Sequence, residues 1–356
     1  MPFAARTRHP IVTADLETIL ATELPWSCFA GKTVLITDAY GFLPAYMAET
    51  LLYLNEQMSQ PAVQVIGLVR NEAKAWARFA HYQGRPDFQL LVQDVIAPVS
   101  YPGEIDYIVH AASKASPKYY STEAADIIGA NVFGTHNMLS LALEKRATNM
   151  LFFSTAEVYG ESGDGRTPIK EDQFGPLDPA QVRACYPESK RLGETMCVAW
   201  SNRYGLPVSI VRPFHTYGPG MDLEDGRVFA DFVGDIVFGR HITLRSDGRS
   251  RRAFCYNADA AAGLFTLLLK GQTGHAYNLG NPEGEISIGE LADLLVNMFP
   301  ERKLQVVRSE STDDRYLRNP ATRVCPDIGK IMQLGWRPTT GVAEGFRRTV
   351  LSYESV

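Results

Sequence analysis

With 356 residues, 45% apolar and 21% charged, the chain can build one large α/β domain with an appended lobe, or two modest domains, of ordinary globular composition. A net charge of −5 argues against a polyanion-binding surface, so no nucleic-acid partner is expected. No apolar run reaches the ~18 residues of a membrane span, and the two arginines of Met1–Pro10 are not followed by the apolar core of a signal peptide.

Five scattered cysteines (Cys28, Cys185, Cys197, Cys255, Cys325) show neither a CxxC pair nor metal-ligand spacing. They predict reduced thiols and no metal, and with the missing apolar span the expectation is a cytoplasmic protein with no membrane partner.

In chain order, residues 1–30 read as a helical prefix, in which Thr13 or Asp15 caps a short helix with Leu16, Ile19 and Leu20 on one side. From Gly31 the pattern becomes strand, turn, helix, repeated. Thr33–Thr37, Val63–Val69, Phe88–Val92, Tyr107–His110, Met150–Ser154 and Val208–Val211 have the length of buried strands. Ala45–Glu56, Glu123–Lys145 and Pro187–Tyr204 have helical periodicity. This alternation predicts an α/β, Rossmann-type doubly wound parallel sheet over residues 31–212, with its ligand crevice at the carboxyl ends of the strands. After Pro213 the rhythm loosens, and residues 213–356 read as a smaller substrate-binding lobe with segments returning to the main sheet.

The first turn, Thr37-Asp38-Ala39-Tyr40-Gly41-Phe42-Leu43-Pro44-Ala45, is where a dinucleotide fold needs small residues so that backbone and helix N-terminus can approach a pyrophosphate. Gly41, Phe42 and Leu43 are therefore cofactor candidates, although an ordinary tight turn would satisfy the same stretch. Pro44 fits a first helical turn without penalty. A carboxylate at Asp38 repels a pyrophosphate unless it faces away, which predicts weak cofactor affinity or a rerouted loop. Arg70, ending the second strand, stands where an acidic residue would hold the ribose of NAD; it leaves NADP open, or is a solvated surface arginine.

Tyr186-Pro187-Glu188-Ser189-Lys190 puts a tyrosine and a lysine four apart on one helix face. An ammonium and a nicotinamide cation lower a phenol's pKa, so Tyr186 can exchange a proton with a sugar hydroxyl. Upstream, Ser154-Thr155-Ala156-Glu157-Val158-Tyr159-Gly160 ends a predicted strand and adds a hydroxyl, Thr155, and a carboxylate, Glu157.

Together with His110–Pro117, Tyr120, Asn131–Thr135, Arg212–Pro219, Asp225–Val228, Arg252–Tyr256, Cys325–Ile328 and Leu334–Trp336, these stretches make the chain resemble the extended short-chain dehydrogenases acting on nucleotide sugars. The likeness runs from about Gly31 to Glu344, and its nearest flavour is that of the UDP-glucuronate decarboxylases. The resemblance implies bound NAD, a UDP-sugar substrate, a place in polysaccharide biosynthesis, and a homodimer paired through Glu123–Lys145 and Pro187–Tyr204. It implies that Ala111, Ala112, Ser113 and Pro213 line the cofactor, and that Asp94 and Val95 flank adenine. Thr155, Glu157, Tyr186 and Lys190 become the catalytic set, with Tyr186 and Lys190 also touching nicotinamide. Ser116, Tyr120 and His215 join the substrate site, Arg252 neutralises the diphosphate, and Arg227 and Val228 lie near the base.

In the implied chemistry a transient C4 ketone acidifies C5, after which a C6 carboxylate leaves as carbon dioxide or a base promotes loss of water. Glu157 favours these over plain epimerisation. Ala156 replaces the Asp of many dehydratases and the Ser of many decarboxylases. His215, Gly220 and Val324 replace an Asn and two Arg of the decarboxylase pattern, with Arg323 one step from the last. The expectation is decarboxylation of a nucleotide-linked uronic acid, with 4,6-dehydration or C4/C5 epimerisation as alternatives and a catalytically degenerate sugar-nucleotide binder as the reading of another class.

Overall fold

Short β-branched and apolar runs pair where both faces can be buried. In the computed structural model, which describes residues 8–58, 61–160, 167–309 and 323–354, they do so in parallel. The chain passes through α1 (Pro10–Leu20), β1 (Thr33–Thr37), α2 (Phe42–Gln57), β2 (Gln64–Val69), α3 (Glu72–Arg78), β3 (Phe88–Val92) and β4 (Tyr107–His110). There follow α4 (Ala124–Gly129), α5 (Thr135–Lys145), β5 (Asn149–Phe153), α6 (Cys185–Tyr204) and β6 (Val208–Pro213). The rest comprises β7 (His215–Tyr217), α7 (Val228–Val237), β8 (Ile242–Leu244), β9 (Arg251–Tyr256), α8 (Asn257–Lys270) and β10 (Ala276–Leu279). It ends with β11 (Glu285–Ser287), α9 (Ile288–Met298), β12 (Val306–Arg308), β13 (Arg323–Val324), α10 (Gly329–Met332) and α11 (Val342–Leu351).

Seven parallel strands form the main sheet in the order β10-β6-β5-β4-β1-β2-β3. The strand order reverses between β1 and β4, which opens the crevice at their carboxyl ends. One face buries Val34, Ile36, Leu51 and Phe265, and the other Ile108, Met138, Phe152 and Cys197. Gly193 on α6 permits a close approach: a Cβ there would stand 2.5 Å from the Phe152 ring of β5. β10 is a late segment lying beside β6, with Leu279 opposite Pro213. Of the other late strands, β7, β11 and β13 pair with β9, while β8 and β12 form a parallel pair of their own.

Three local expectations are corrected. The cap of α1 is neither Thr13 nor Asp15 but His9, whose Nδ1 accepts from Ile11 N at 3.2 Å, because Pro10 starts the helix earlier. Asp15 is instead buried in mid-helix, ion-paired with Arg348 at 2.7 Å and accepting from the hydroxyls of Tyr46 and Tyr256 at 2.9 Å each. The helix predicted over Glu123–Lys145 is interrupted by a π turn, Ala130–Gly134, where the Thr135 hydroxyl donates to Asn131 O at 2.5 Å. Such turns recur at functional sites. Finally, α6 begins at Cys185 rather than Pro187, since proline is tolerated in a first turn, and this carries Tyr186 into the helix. None of the helices in the described residues is long and apolar enough to cross a membrane.

Candidate active site

At the switch point the buried Thr37 hydroxyl accepts from Ala111 N and Ala112 N, both at 2.9 Å, and lies 3.1 Å from His110 Nδ1. The exits of β1 and β4 are thereby locked together. Asp38 follows at φ +52°, a left-handed conformation that aspartate tolerates better than most residues, and its carbonyl accepts from Gly41 N at 2.7 Å. Gly41 caps α2 with no side-chain bond, leaving first-turn N–H groups for an anion. Phe42 is half-buried, Leu43 packs into the core, and Pro44 sits in the first turn as expected.

The Asp38 carboxylate does not face away. A Cβ on Gly41 would stand 2.7 Å from Asp38 Oδ2, so the acid leans over the start of α2. Burial pushes its pKa up to about 7, against the pull of Arg70. Arg70 is exposed and lies 3.6 Å from Asp94 across the ends of β2 and β3. Asp94 also accepts from Ile96 N at 3.0 Å, while Val95 turns inward against Gly134. Ser113 has a buried Oγ with no hydrogen-bond partner among the described residues. Pro213 ends β6, half-buried.

At the β5–α6 end, Tyr186 and Lys190 are both buried on one face of α6. Thr155 hydrogen-bonds the Tyr186 phenol and also accepts from Glu157 N at 3.2 Å. Lys190 Nζ donates to Phe153 O at 2.7 Å and lies 6.0 Å from the Tyr186 ring centroid. Burial pushes this ammonium down to about 7. Burial and then the Glu157 charge push the Tyr186 phenol up, with Thr155 and Arg227 opposing. Without a cofactor the phenol is therefore not made acidic, because desolvation dominates and Lys190 is committed to a backbone carbonyl.

Tyr120 stacks on Tyr186 at 5.3 Å, and its hydroxyl lies 3.0 Å from Ala115 O and 3.4 Å from Glu157 Oε1. Glu157 is also 3.5 Å from Arg183; burial raises its pKa and Arg183 is the main opposing influence.

The lobe brings His215, Arg227 and Arg252 together. His215 lies between the rings of Phe229 and Phe254, its Nδ1 without a partner among the described residues. Burial and then Arg252 and Arg227 push its pKa down to about 3, so it is a neutral imidazole at ordinary pH. Arg252 is buried on β9, and burial lowers its pKa. Arg227 ion-pairs with Asp225 at the start of α7, where Val228 is the first residue. The Ser116 hydroxyl donates to Asp225 O at 2.5 Å, latching this loop to the main domain.

The departures from the decarboxylase pattern also acquire places. Ala156 and Val324 meet in one small apolar cluster with Tyr159, Ile169 and Phe214. Arg323 does not substitute for its neighbour: it makes a two-pronged pair with Glu285 at 2.6 and 2.8 Å. The space a side chain at Gly220 would fill is held by the Arg78 guanidinium, itself 3.4 Å from the buried Glu49.

Two residues that the structure sets at the site are absent as candidates from the sequence reading. Thr37 looked like an ordinary strand residue. Arg183 lies in the turn Val182–Ala184 that opens α6, three residues before Tyr186, and that proximity was the available signal. Among the described residues no group of three or more His, Cys, Asp or Glu is placed to hold a metal.

Residues 34–280 match the NAD dependent epimerase/dehydratase family. UDP-glucuronic acid decarboxylase 6 of Arabidopsis thaliana is 33% identical over 318 residues, covering 89% of this chain and 87% of the relative. A dTDP-glucose 4,6-dehydratase structure from Streptomyces venezuelae with NAD bound superposes with a TM-score of 0.74 at 26% identity, covering 90% of this chain and 96% of that one. The UDP-glucuronic acid 4-epimerase of Bacillus cereus, in complex with UDP-glucuronic acid and NAD, shares the fold with a TM-score of 0.74 at 20% identity, over 90% of this chain and 98% of that one.

Proposed function

The chain belongs to the NAD dependent epimerase/dehydratase family and is an enzyme that modifies nucleotide sugars; from that premise we propose that it decarboxylates a nucleotide-linked uronic acid, a UDP-sugar such as UDP-glucuronate, with bound NAD. The observation that carries the reading is the assembled group at the β5–α6 end: Thr155 bonded to Tyr186, Lys190 below, and Glu157 between Tyr120 and Arg183. A purely binding protein needs no such set.

The residues at the switch point fit a dinucleotide. The start of α2 is uncapped, Thr37 shapes the Ala111–Ala112 wall, and the orphaned Ser113 hydroxyl wants a partner; the Asp38 carboxylate is the one discord. Gly41, Phe42, Asp94, Ser113, Tyr186 and Lys190 would hold it, with Arg70 leaving NADP open. When bound, the cofactor supplies a reversible hydride acceptor for sugar C4 and a positive charge beside Tyr186.

Tyr186 takes the proton of the C4 hydroxyl, steadied by Thr155, and its raised phenol pKa would fall back toward a working value beside a bound cation. Lys190 holds Phe153 O and adds charge beneath the ring. Glu157, held above the ordinary carboxylate range by burial, is poised to give a proton to C5 of the enolate left when the C5–C6 bond breaks and C6 departs as carbon dioxide. Arg252 receives the diphosphate of the substrate with the neutral His215 beside it, and Arg227 and Val228 lie toward the base.

Ala156 and Val324 share one apolar cluster, which favours a neutral C6 and hence dehydration to a 4-keto-6-deoxy sugar as the second reading. Incubating the purified protein with UDP-glucuronate and neutral UDP- and dTDP-hexoses, with mass spectrometry of the products, decides. Loss of carbon dioxide from the uronate supports decarboxylation; loss of water from a neutral hexose gives the dehydratase.

We also propose a homodimer, because α4, the π turn and α6 expose Ile128, Phe133 and Leu192 on helices that pack together; analytical ultracentrifugation tests it. The free thiols support a cytoplasmic placement, and the division into residues 31–212 and 213–356 is retained as the working domain description.

A further inference from the structure

A uronic acid differs from its parent hexose by one negative charge, and a site selecting it must place a cation where C6 lies. The positions 156 and 324, where a decarboxylase would carry polar groups, are here closed into an apolar cluster, and Arg323 is spent on Glu285 outside it. Arg252 and Arg227 both act on His215, and Arg227 is paired with Asp225.

Among the described residues Arg183 is the cation within ion-pair distance of the catalytic carboxylate, while Arg227 bears on it from farther off and is paired with Asp225. Arg183 lies over the Tyr120 ring at 5.9 Å, and that ring stacks on Tyr186. Its Nη2 is 3.5 Å from Glu157 Oε2, beyond a good hydrogen bond, and its Nη1 is buried with no hydrogen-bond partner among the described residues. A buried guanidinium N–H without an acceptor is costly and is expected to find one when the site fills. A carboxylate matches the guanidinium edge with two parallel hydrogen bonds, whereas a hydroxymethyl group offers one weaker acceptor.

We propose that Arg183 is the residue that recognises the charged C6 group of the substrate, taking over from the polar residues missing at 156 and 324. The assignment rests on the uronate reading above. It places the carboxylate against Arg183 and draws that cation away from Glu157, which leaves Glu157 more easily protonated for its role at C5.

The test is calorimetric titration of the cofactor-loaded protein with UDP-glucuronate and, separately, UDP-glucose, for wild type, Arg183→Gln and Arg183→Lys, with thermal melts to verify folding. Arg183→Gln should weaken UDP-glucuronate about ten- to a hundredfold while leaving UDP-glucose within about twofold. Arg183→Lys should recover part of the preference, since the charge remains without the planar fork. Equal weakening of both ligands, or of neither, overturns the proposal and leaves Arg183 as a partner of Glu157 alone. Selective loss in a protein that releases no carbon dioxide would keep the proposal and sink the decarboxylase reading. A wild type that does not distinguish the two ligands would sink both.

Discussion

The two halves of the crevice differ. The β5–α6 end brings Thr155, Tyr186, Lys190 and Glu157 together on and beside a helix pressed against the sheet at Gly193. The β1–α2 end keeps the uncapped helix and the Thr37 lock but sets a carboxylate over the cradle, with Asp38 against Gly41. Catalytic groups act through position and tolerate little change, whereas a phosphate cradle built of backbone N–H groups still functions with an awkward neighbour, at reduced affinity. The difference predicts weakened cofactor binding at the β1–α2 end, while the changes at 156 and 324 bear on the sugar.

The comparison can be broken most forcefully at the intact end. Tyr186→Phe should lower kcat by about 10²–10⁴-fold while NAD affinity changes little, measured by steady-state kinetics and cofactor titration. A loss of cofactor binding of similar size would mean that Tyr186 anchors rather than reacts. Gly193→Ala puts a methyl into the Phe152 ring and should destabilise the fold by about 1–3 kcal/mol, read as a lower Tm, and reduce activity by displacing the neighbouring Lys190.

At the altered end, the effect of Asp38 depends on pH. Its pKa of about 7 in the free protein rises further when a pyrophosphate lies beside it, so binding takes up a proton once Asp38 is ionised. NAD affinity should thus be flat below about pH 7 and fall as pH rises above it. Asp38→Gly should abolish the fall and tighten NAD on the order of tenfold at pH 8, the scale of ~1–4 kcal/mol for like charges about 4 Å apart. A variant with the wild-type pH profile would show that the carboxylate swings clear. The smallest expected change is Arg70→Ala, which should weaken NADP about threefold more than NAD, because an exposed arginine paired loosely with Asp94 gives little net attraction. Equal effects on the two cofactors would leave Arg70 as surface.

The six early strands and the Tyr186–Lys190 face were legible in the sequence because each depends on local spacing. So were the joint placements of Thr155 with Tyr186 and of His215 with Arg227 and Arg252, although through resemblance rather than periodicity. What could not be read depends on contacts between distant segments. The meeting of Ala156 with Val324, the diversion of Arg323 to Glu285, and the burial of Asp15 against Arg348 each join residues far apart in the chain. The direction of the Asp38 side chain follows from a left-handed turn that no residue pattern prescribes. Arg183 escaped notice because an arginine in a short turn is usually surface; only the packing of Tyr120 and Glu157 around it marks it out.

The account's central claim is that the intact end decarboxylates a uronate despite the altered cradle. UDP-glucuronate labelled at C6 and incubated with the NAD-loaded protein tests it most directly. The account predicts labelled carbon dioxide in step with a UDP-pentose, with no net change in the cofactor's oxidation state. Retention of the label in every product, with NAD bound throughout, would contradict it.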